Sequence, residues 1–128
     1  MPRKNVQALT KAELRIMRVL WHTRRGSVAD VVEALDSPPL AYTTVLTMLR
    51  ILEQKGVVGR TLDGRAHVYF PQVEQEDAAR SAIGDVLQSF FKNSKTALAM
   101  RLISEEKPDR DELQRIKALI EQYEEEQR

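Results

Sequence analysis

The sequence predicts a mainly α chain with one small β-hairpin, organised as an N-terminal part of residues 1–71 and a C-terminal helical part of residues 72–128. Three observations carry this expectation. Apolar residues recur at three- and four-residue steps, usually behind a capping residue. The period switches to two only around Asp63-Gly64. Charge divides the chain at nearly the same place: residues 1–70 hold 11 Lys+Arg against 6 Asp+Glu, residues 71–128 hold 9 against 13. A basic part joined to an acidic part points to a polyanion as the partner of the first and not of the second, although chance scatter of surface charge gives the same count.

Thr10 followed by Glu13 is a capping box, in which the hydroxyl accepts from an early backbone N–H and the glutamate reaches back to the cap. Leu14, Met17, Leu20 and Trp21 then fall at helical spacing, so a first helix is expected from Lys11 to His22. "RRGS" breaks it. Ser27 with Asp30 opens a second helix striped with Val28, Val31, Val32 and Leu35, and the prolines of "DSPP" end it because proline cannot continue a helix. A third helix is expected from Ala41 to Lys55, closed by Gly56 in a left-handed cap.

That third helix has two unlike sides. At about 100° per residue, Val45, Met48, Leu49 and Leu52 share one side. Thr43, Thr47, Arg50 and Gln54 fall within an arc of roughly 60° opposite, with Thr44 and Ile51 on its shoulder. Threonine is a mediocre helix former, so propensity does not account for three of them on one face. After Gly56, "VVGRTL" and "RAHVYF" flank Asp63-Gly64, a two-residue hairpin signal because both residues tolerate positive φ. Val58 and Leu62 are expected on one face of the first strand, and Ala66, Val68 and Phe70 on one face of the second, with Arg60 and Arg65 near the tip.

Three short helices followed by a hairpin is the order of a winged helix-turn-helix, in which the last helix enters the DNA major groove and the hairpin lies along the phosphates. Short threonine side chains suit such a groove, since the hydroxyl donates or accepts at a base edge and the methyl meets a thymine methyl. The expected base-reading residues are therefore Thr43, Thr44, Thr47 and Arg50, and the expected phosphate contacts Gln54, Lys55, Arg60 and Arg65.

"AYTTVLTMLRILEQKGVVGRTLDGRAHVYFP", together with "LTKAELRIMRVLW" near the start, closely resembles the penicillinase-repressor family of bacterial transcription factors, often called the BlaI/MecI family. The likeness is strongest over residues 9–71. It implies a homodimer that binds a palindromic operator in double-stranded DNA and blocks transcription of β-lactam-resistance or related stress-response genes. Two departures stand out. Many members carry arginine where this chain has Ile51, and the Asn-Phe bond at which a sensor-linked protease inactivates β-lactam-responsive members corresponds best to Leu102-Ile103 here.

The C-terminal part reads as helices only. Ile83, Val86 and Phe90, with Ala79 and Leu87, stripe a fourth helix. Ser94 caps a short fifth that carries Leu98, Leu102 and Ile103. Asp109 with Glu112 opens a sixth, along which Leu113, Ile116, Ile120 and Tyr123 form a coiled-coil-like seam. Three helices of this length do not make a stable core alone, so these stripes are expected to pack on a second copy, the alternative being a monomer with an intramolecular bundle.

The residues offer little to other chemistry. Without cysteine there is no disulfide, thiolate metal site or thiol nucleophile, which also rules out the cysteine-based sensing that the resemblance implies for copper-responsive members. His22 and His67 have no second ligand at metal spacing, and the glycines form no phosphate cradle. No enzyme, metal or cofactor is expected. The start lacks the apolar stretch of a secretory signal, and no run approaches the roughly 18 apolar residues of a membrane span, so a cytoplasmic protein without membrane insertion is expected. The rival reading is a winged-helix module that holds a protein partner and does not bind DNA.

Overall fold

The computed structural model describes residues 6–128, in two compact units that divide after Asp85. In the first unit each expected helix starts at its cap. α1 spans Lys11–Thr23 behind Thr10, whose Oγ1 accepts from the Glu13 N–H at 3.1 Å while the Glu13 carboxylate accepts from the Thr10 N–H at 2.8 Å. α2 (Val28–Ala34) repeats the device with Ser27 and Asp30, at 3.1 and 2.9 Å. α3 runs Tyr42–Gln54, and Gly56 takes the left-handed φ of +77° that releases the chain from it.

These helices enclose one interior. Ile16, Met17 and Leu20 of α1, Val31 of α2, and Val45, Leu49 and Leu52 of α3 are all fully buried. Removing such a side chain from water contributes about 1.5–3 kcal/mol, so this stripe fixes which side of α3 faces inward. The Arg15 guanidinium also donates to the Pro38 carbonyl, tying α1 to the turn that precedes α3.

The hairpin forms, but within a three-stranded antiparallel sheet of order β1-β3-β2: β1 is Gly26–Ser27, β2 Val58–Asp63 and β3 Ala66–Pro71. β1 lies outside the sequence expectation, because two residues carry no period. Its Gly26 pairs with Tyr69 and its Ser27 with Val68. The turn also sits one residue later than the Asp63-Gly64 signal suggests. Asp63 still pairs with Ala66, which leaves Gly64 (φ +65°) and Arg65 as the two turn residues.

The expected face groupings hold in this register, with Val58 and Leu62 on one face and Ala66, Val68 and Phe70 on the other. Val58 and Tyr69 enter the interior, whereas Leu62 is 63 % exposed. Phe70 points to the other face, where its ring lies over Gly59: a Cβ there would stand 2.6 Å from Phe70 Cζ. Only glycine fits beneath the ring.

The first unit continues beyond Pro71 because Val73 is buried and Ala78 packs against the core. Trp21 Nε1 donates to the Val73 carbonyl at 2.9 Å, and Arg24, in left-handed conformation, clasps both oxygens of Glu74 at 2.9 and 3.0 Å. α4 (Gln75–Phe90) begins here, and its Ser81 hydroxyl donates to the Val6 carbonyl at 3.0 Å and accepts from the Val6 N–H at 3.3 Å.

The second unit, Val86–Arg128, holds the end of α4, then α5 (Lys95–Glu105) and α6 (Arg110–Glu126). Ser94 caps α5 by accepting from the Ala97 N–H at 3.1 Å, and Asp109 caps α6 by accepting from the Glu112 N–H at 2.8 Å. Lys92 and Asn93 turn the chain between α4 and α5 with positive φ. No residue of α4, α5 or α6 is buried. Phe90, Leu102, Ile120 and Tyr123 are each more than half exposed, and Leu98 and Ile116 are only partly covered.

Candidate nucleic-acid interface

With Val45, Leu49 and Leu52 held inward, the opposite side of α3 is turned to solvent. Thr43, Thr44, Thr47, Arg50 and Gln54 are set outward as the helical spacing requires, all five exposed. Thr47 Oγ1 donates to the Thr43 carbonyl at 2.9 Å, so this hydroxyl spends its proton inside the helix and offers outward its lone pairs and its methyl. Thr43 and Thr44 have no side-chain hydrogen-bond partner among the described residues, and Arg50 and Gln54 likewise stand unpaired. A flexible cation and three short hydroxyl side chains thus share one open surface.

The structure adds Tyr42 to this surface: the first residue of α3, it is 53 % exposed, while Ile51, 40 % exposed, keeps the shoulder position that the helical spacing gives it. Ala41 at the N-cap brings no side-chain acceptor, so the first backbone N–H groups of α3 keep their hydrogens for another partner.

The sheet supplies a second set of cations. Arg65 occupies the hairpin turn, exposed and unpaired among the described residues. Arg60 on β2 is exposed but touches Glu53 of α3, Nε to Oε2 3.1 Å. Arg25, just before β1, reaches Asp63 at the hairpin end at 3.4 Å. Arg25 is not among the contacts expected from the sequence, because β1, which brings it beside Asp63, is too short to carry a period.

Lys55 departs from expectation. Its Nζ is not turned outward but sits 2.9 Å from both oxygens of Glu13 and 3.3 Å from the Ala8 carbonyl. The reason is Glu13, the one buried charged residue of the described chain, which needs a counter-ion there. Burial alone would push the Glu13 carboxyl up; the hydrogen bonds from Thr10 and Lys55 outweigh it and hold the group below the usual carboxylate range. Lys55 therefore joins α1 to the end of α3 and is occupied. A signal for this existed: Glu13 stands four residues before Met17 and seven before Leu20, on the stripe that becomes the core.

Both histidines are exposed, and among the described residues no group of three or more His, Cys, Asp or Glu could hold a metal ion. No helix among them is long and apolar enough to cross a membrane.

Comparison with known proteins decides what this arrangement belongs to. Residues 9–122 match the family model described as penicillinase repressor. The chain belongs to the penicillinase repressor family. It is accordingly a DNA-binding transcriptional repressor built on a winged helix. It is similar to the penicillinase repressor of Bacillus licheniformis, 22 % identical over 121 residues that cover 94 % of each chain. It is also similar to the transcriptional regulator BlaI of Mycobacterium tuberculosis, 38 % identical over 77 residues, 59 % of this chain and 56 % of that one. Among solved structures, the DNA-binding domain of the repressor BlaI is 29 % identical, covers 58 % of this chain and 92 % of its own, and gives a TM-score of 0.52. The YusO protein of Bacillus subtilis, 18 % identical with a TM-score of 0.52 over 91 % of this chain and 75 % of its own, shares the fold.

Proposed function

We propose that this penicillinase repressor family member acts in the cytoplasm as a homodimer on a palindromic operator, each copy laying α3 in the major groove of one half-site. The observation that carries the reading is the open side of α3, where Thr43, Thr44, Thr47 and Arg50 stand outward, opposite a fully buried stripe. Arg50 is the residue with reach and charge to bond a guanine edge, worth about 1–3 kcal/mol of discrimination if bidentate. The threonines contribute less each and tune the preference. The uncapped start of α3 suits a phosphate oxygen, because helix N-termini attract anions. Gln54 flanks the same groove, and Arg65, Arg60 and Arg25 lie along the backbone, Arg60 exchanging Glu53 for phosphate. Lys55, committed to Glu13, is left out.

The homodimer rests on the second unit, whose apolar residues Val86, Phe90, Leu98, Leu102, Leu113, Ile116, Ile120 and Tyr123, joined by Ile83, find no interior within it. Two linked copies read half-sites about 34–36 Å apart, which one small winged unit does not achieve. Loss of repression by a cut at Leu102-Ile103 fits less well: that bond lies inside α5, which would have to unwind before a protease could hold it extended.

The test pairs two substitutions. If six to ten phosphates are met across the dimer, affinity falls about 10³–10⁵-fold between 50 and 200 mM salt. Arg65→Ala should weaken every duplex alike and lower the salt slope by about 1 per subunit. Thr47→Ala should leave that slope and shift the sequences selected from a random-duplex pool. Absence of salt-dependent duplex binding would favour the protein-partner reading of the winged fold.

A further inference from the structure

A cleft of about 390 Å³ opens within the first compact unit, between the segment that starts at Val6, α1 and the first half of α4. Its walls are apolar, drawn from Val6, Leu9, Leu14, Trp21, Ala78 and Ala82. The small side chains on α4 keep it open. Two opposite charges border it, Arg18 on α1 and Asp85 on α4, and neither makes an ion pair with the other or with any other described residue. Its volume lies within the range of small-molecule sites, about 300–1,000 Å³.

We infer that this cleft binds a small zwitterion with an apolar body, the chemistry of a hydrophobic amino acid or dipeptide, its carboxylate on Arg18 and its ammonium on Asp85. An uncharged apolar molecule would leave both charges unused, and a simple anion or cation would meet one partner and be repelled by the other. The cleft's walls are tied together by the two Val6–Ser81 hydrogen bonds at 3.0 and 3.3 Å and by Trp21 Nε1 on the Val73 carbonyl at 2.9 Å. An occupant therefore bears on α4, which continues past Asp85 to Phe90 and carries the exposed Ile83 and Val86. Occupancy alters duplex affinity through that helix; this effector role rests on the DNA-binding reading, whereas the binding site does not.

Trp21 is the sole tryptophan and lines the cleft, so its emission reports occupancy without DNA. The probe is the dipeptide phenylalanyl-leucine, titrated into the full chain, with its N-acetyl and C-amide forms each lacking one charge. The expected result is a saturable emission change, with binding about tenfold weaker for either blocked form. Arg18→Gln should erase the penalty for amidation and Asp85→Asn the penalty for acetylation; both side chains are exposed, so the fold is not at stake. Saturating dipeptide should change duplex affinity about fivefold. No saturable change up to about 10 mM overturns the site. Emission that follows protein concentration and ignores dipeptide assigns the cleft to a second copy, which also overturns it. Saturable binding with unaltered duplex affinity overturns the effector role, while loss of duplex binding under all conditions faults the DNA reading and leaves the emission result standing.

Discussion

α3 and α6 are equally amphipathic helices with apolar residues at three- and four-residue steps, yet they meet different fates. α3 buries Val45, Leu49 and Leu52 completely against α1, α2 and the sheet. α6 buries nothing, and its Ile120 and Tyr123 stay 54 % and 56 % exposed. The difference teaches that an apolar stripe states that a face is to be covered without stating by what. In the first unit the cover lies within the same 85 residues. In the second, three helices are too few to surround one another, and on the reading proposed above the cover is a second copy.

The largest effect should come from attacking that missing cover. Ile120→Asp combined with Tyr123→Asp should turn the dimer into monomer in sedimentation equilibrium. Operator affinity should fall about 10²–10⁴-fold, because two linked half-site contacts become independent. The unfolding transition of the first unit should not move. A dimer that survives both substitutions would place its seam elsewhere in the arm. The complementary change, Leu49→Ala, should cost the first unit about 2–5 kcal/mol in urea unfolding while the folded fraction dimerises as before. A cost below about 1 kcal/mol would mean that burial does not hold α3 in place.

What could be read in advance follows from the range over which the signals act. The caps at Thr10, Ser27, Ser94 and Asp109 depend on residues three apart, and all four form. The open threonine face follows from helical period plus one buried stripe, and it too was legible. The sheet was less so. Whether Tyr69 or Phe70 turns inward is a one-residue question of register, settled by a two-residue strand, β1, and by the bare backbone of Gly59. Lys55 and Glu13 are 42 positions apart and Arg25 and Asp63 38, so no local pattern links them. Of the four cations near the hairpin, Arg60 and Arg65 are exposed as expected, Lys55 turns in to Glu13, and Arg25 lies outside the sequence expectation.

The smallest effects compare the same capping device in the two units. Glu13 closes a buried box and Asp109 an exposed one, and both carboxyls lie below their usual range. At Asp109 the cause is the hydrogen bond from the Glu112 backbone; at Glu13 burial opposes ionisation, but Thr10 and Lys55 prevail. A carboxyl lowered in the folded state stabilises above its unfolded value, about 4.3 for glutamate, and that contribution is lost as pH falls through the folded value. Glu13→Gln should thus cost the first unit about 1–3 kcal/mol at pH 7, since Lys55 loses its partner in a half-buried place. The two unfolding curves should converge as acid neutralises Glu13 in the parent chain. Asp109→Ala, in solvent, should leave the first unit's curve unchanged at every pH and remove only a little helical circular dichroism from α6. Were the two substitutions to give the same pH profile, burial would not be what separates the units, and the contrast between α3 and α6 would need another cause.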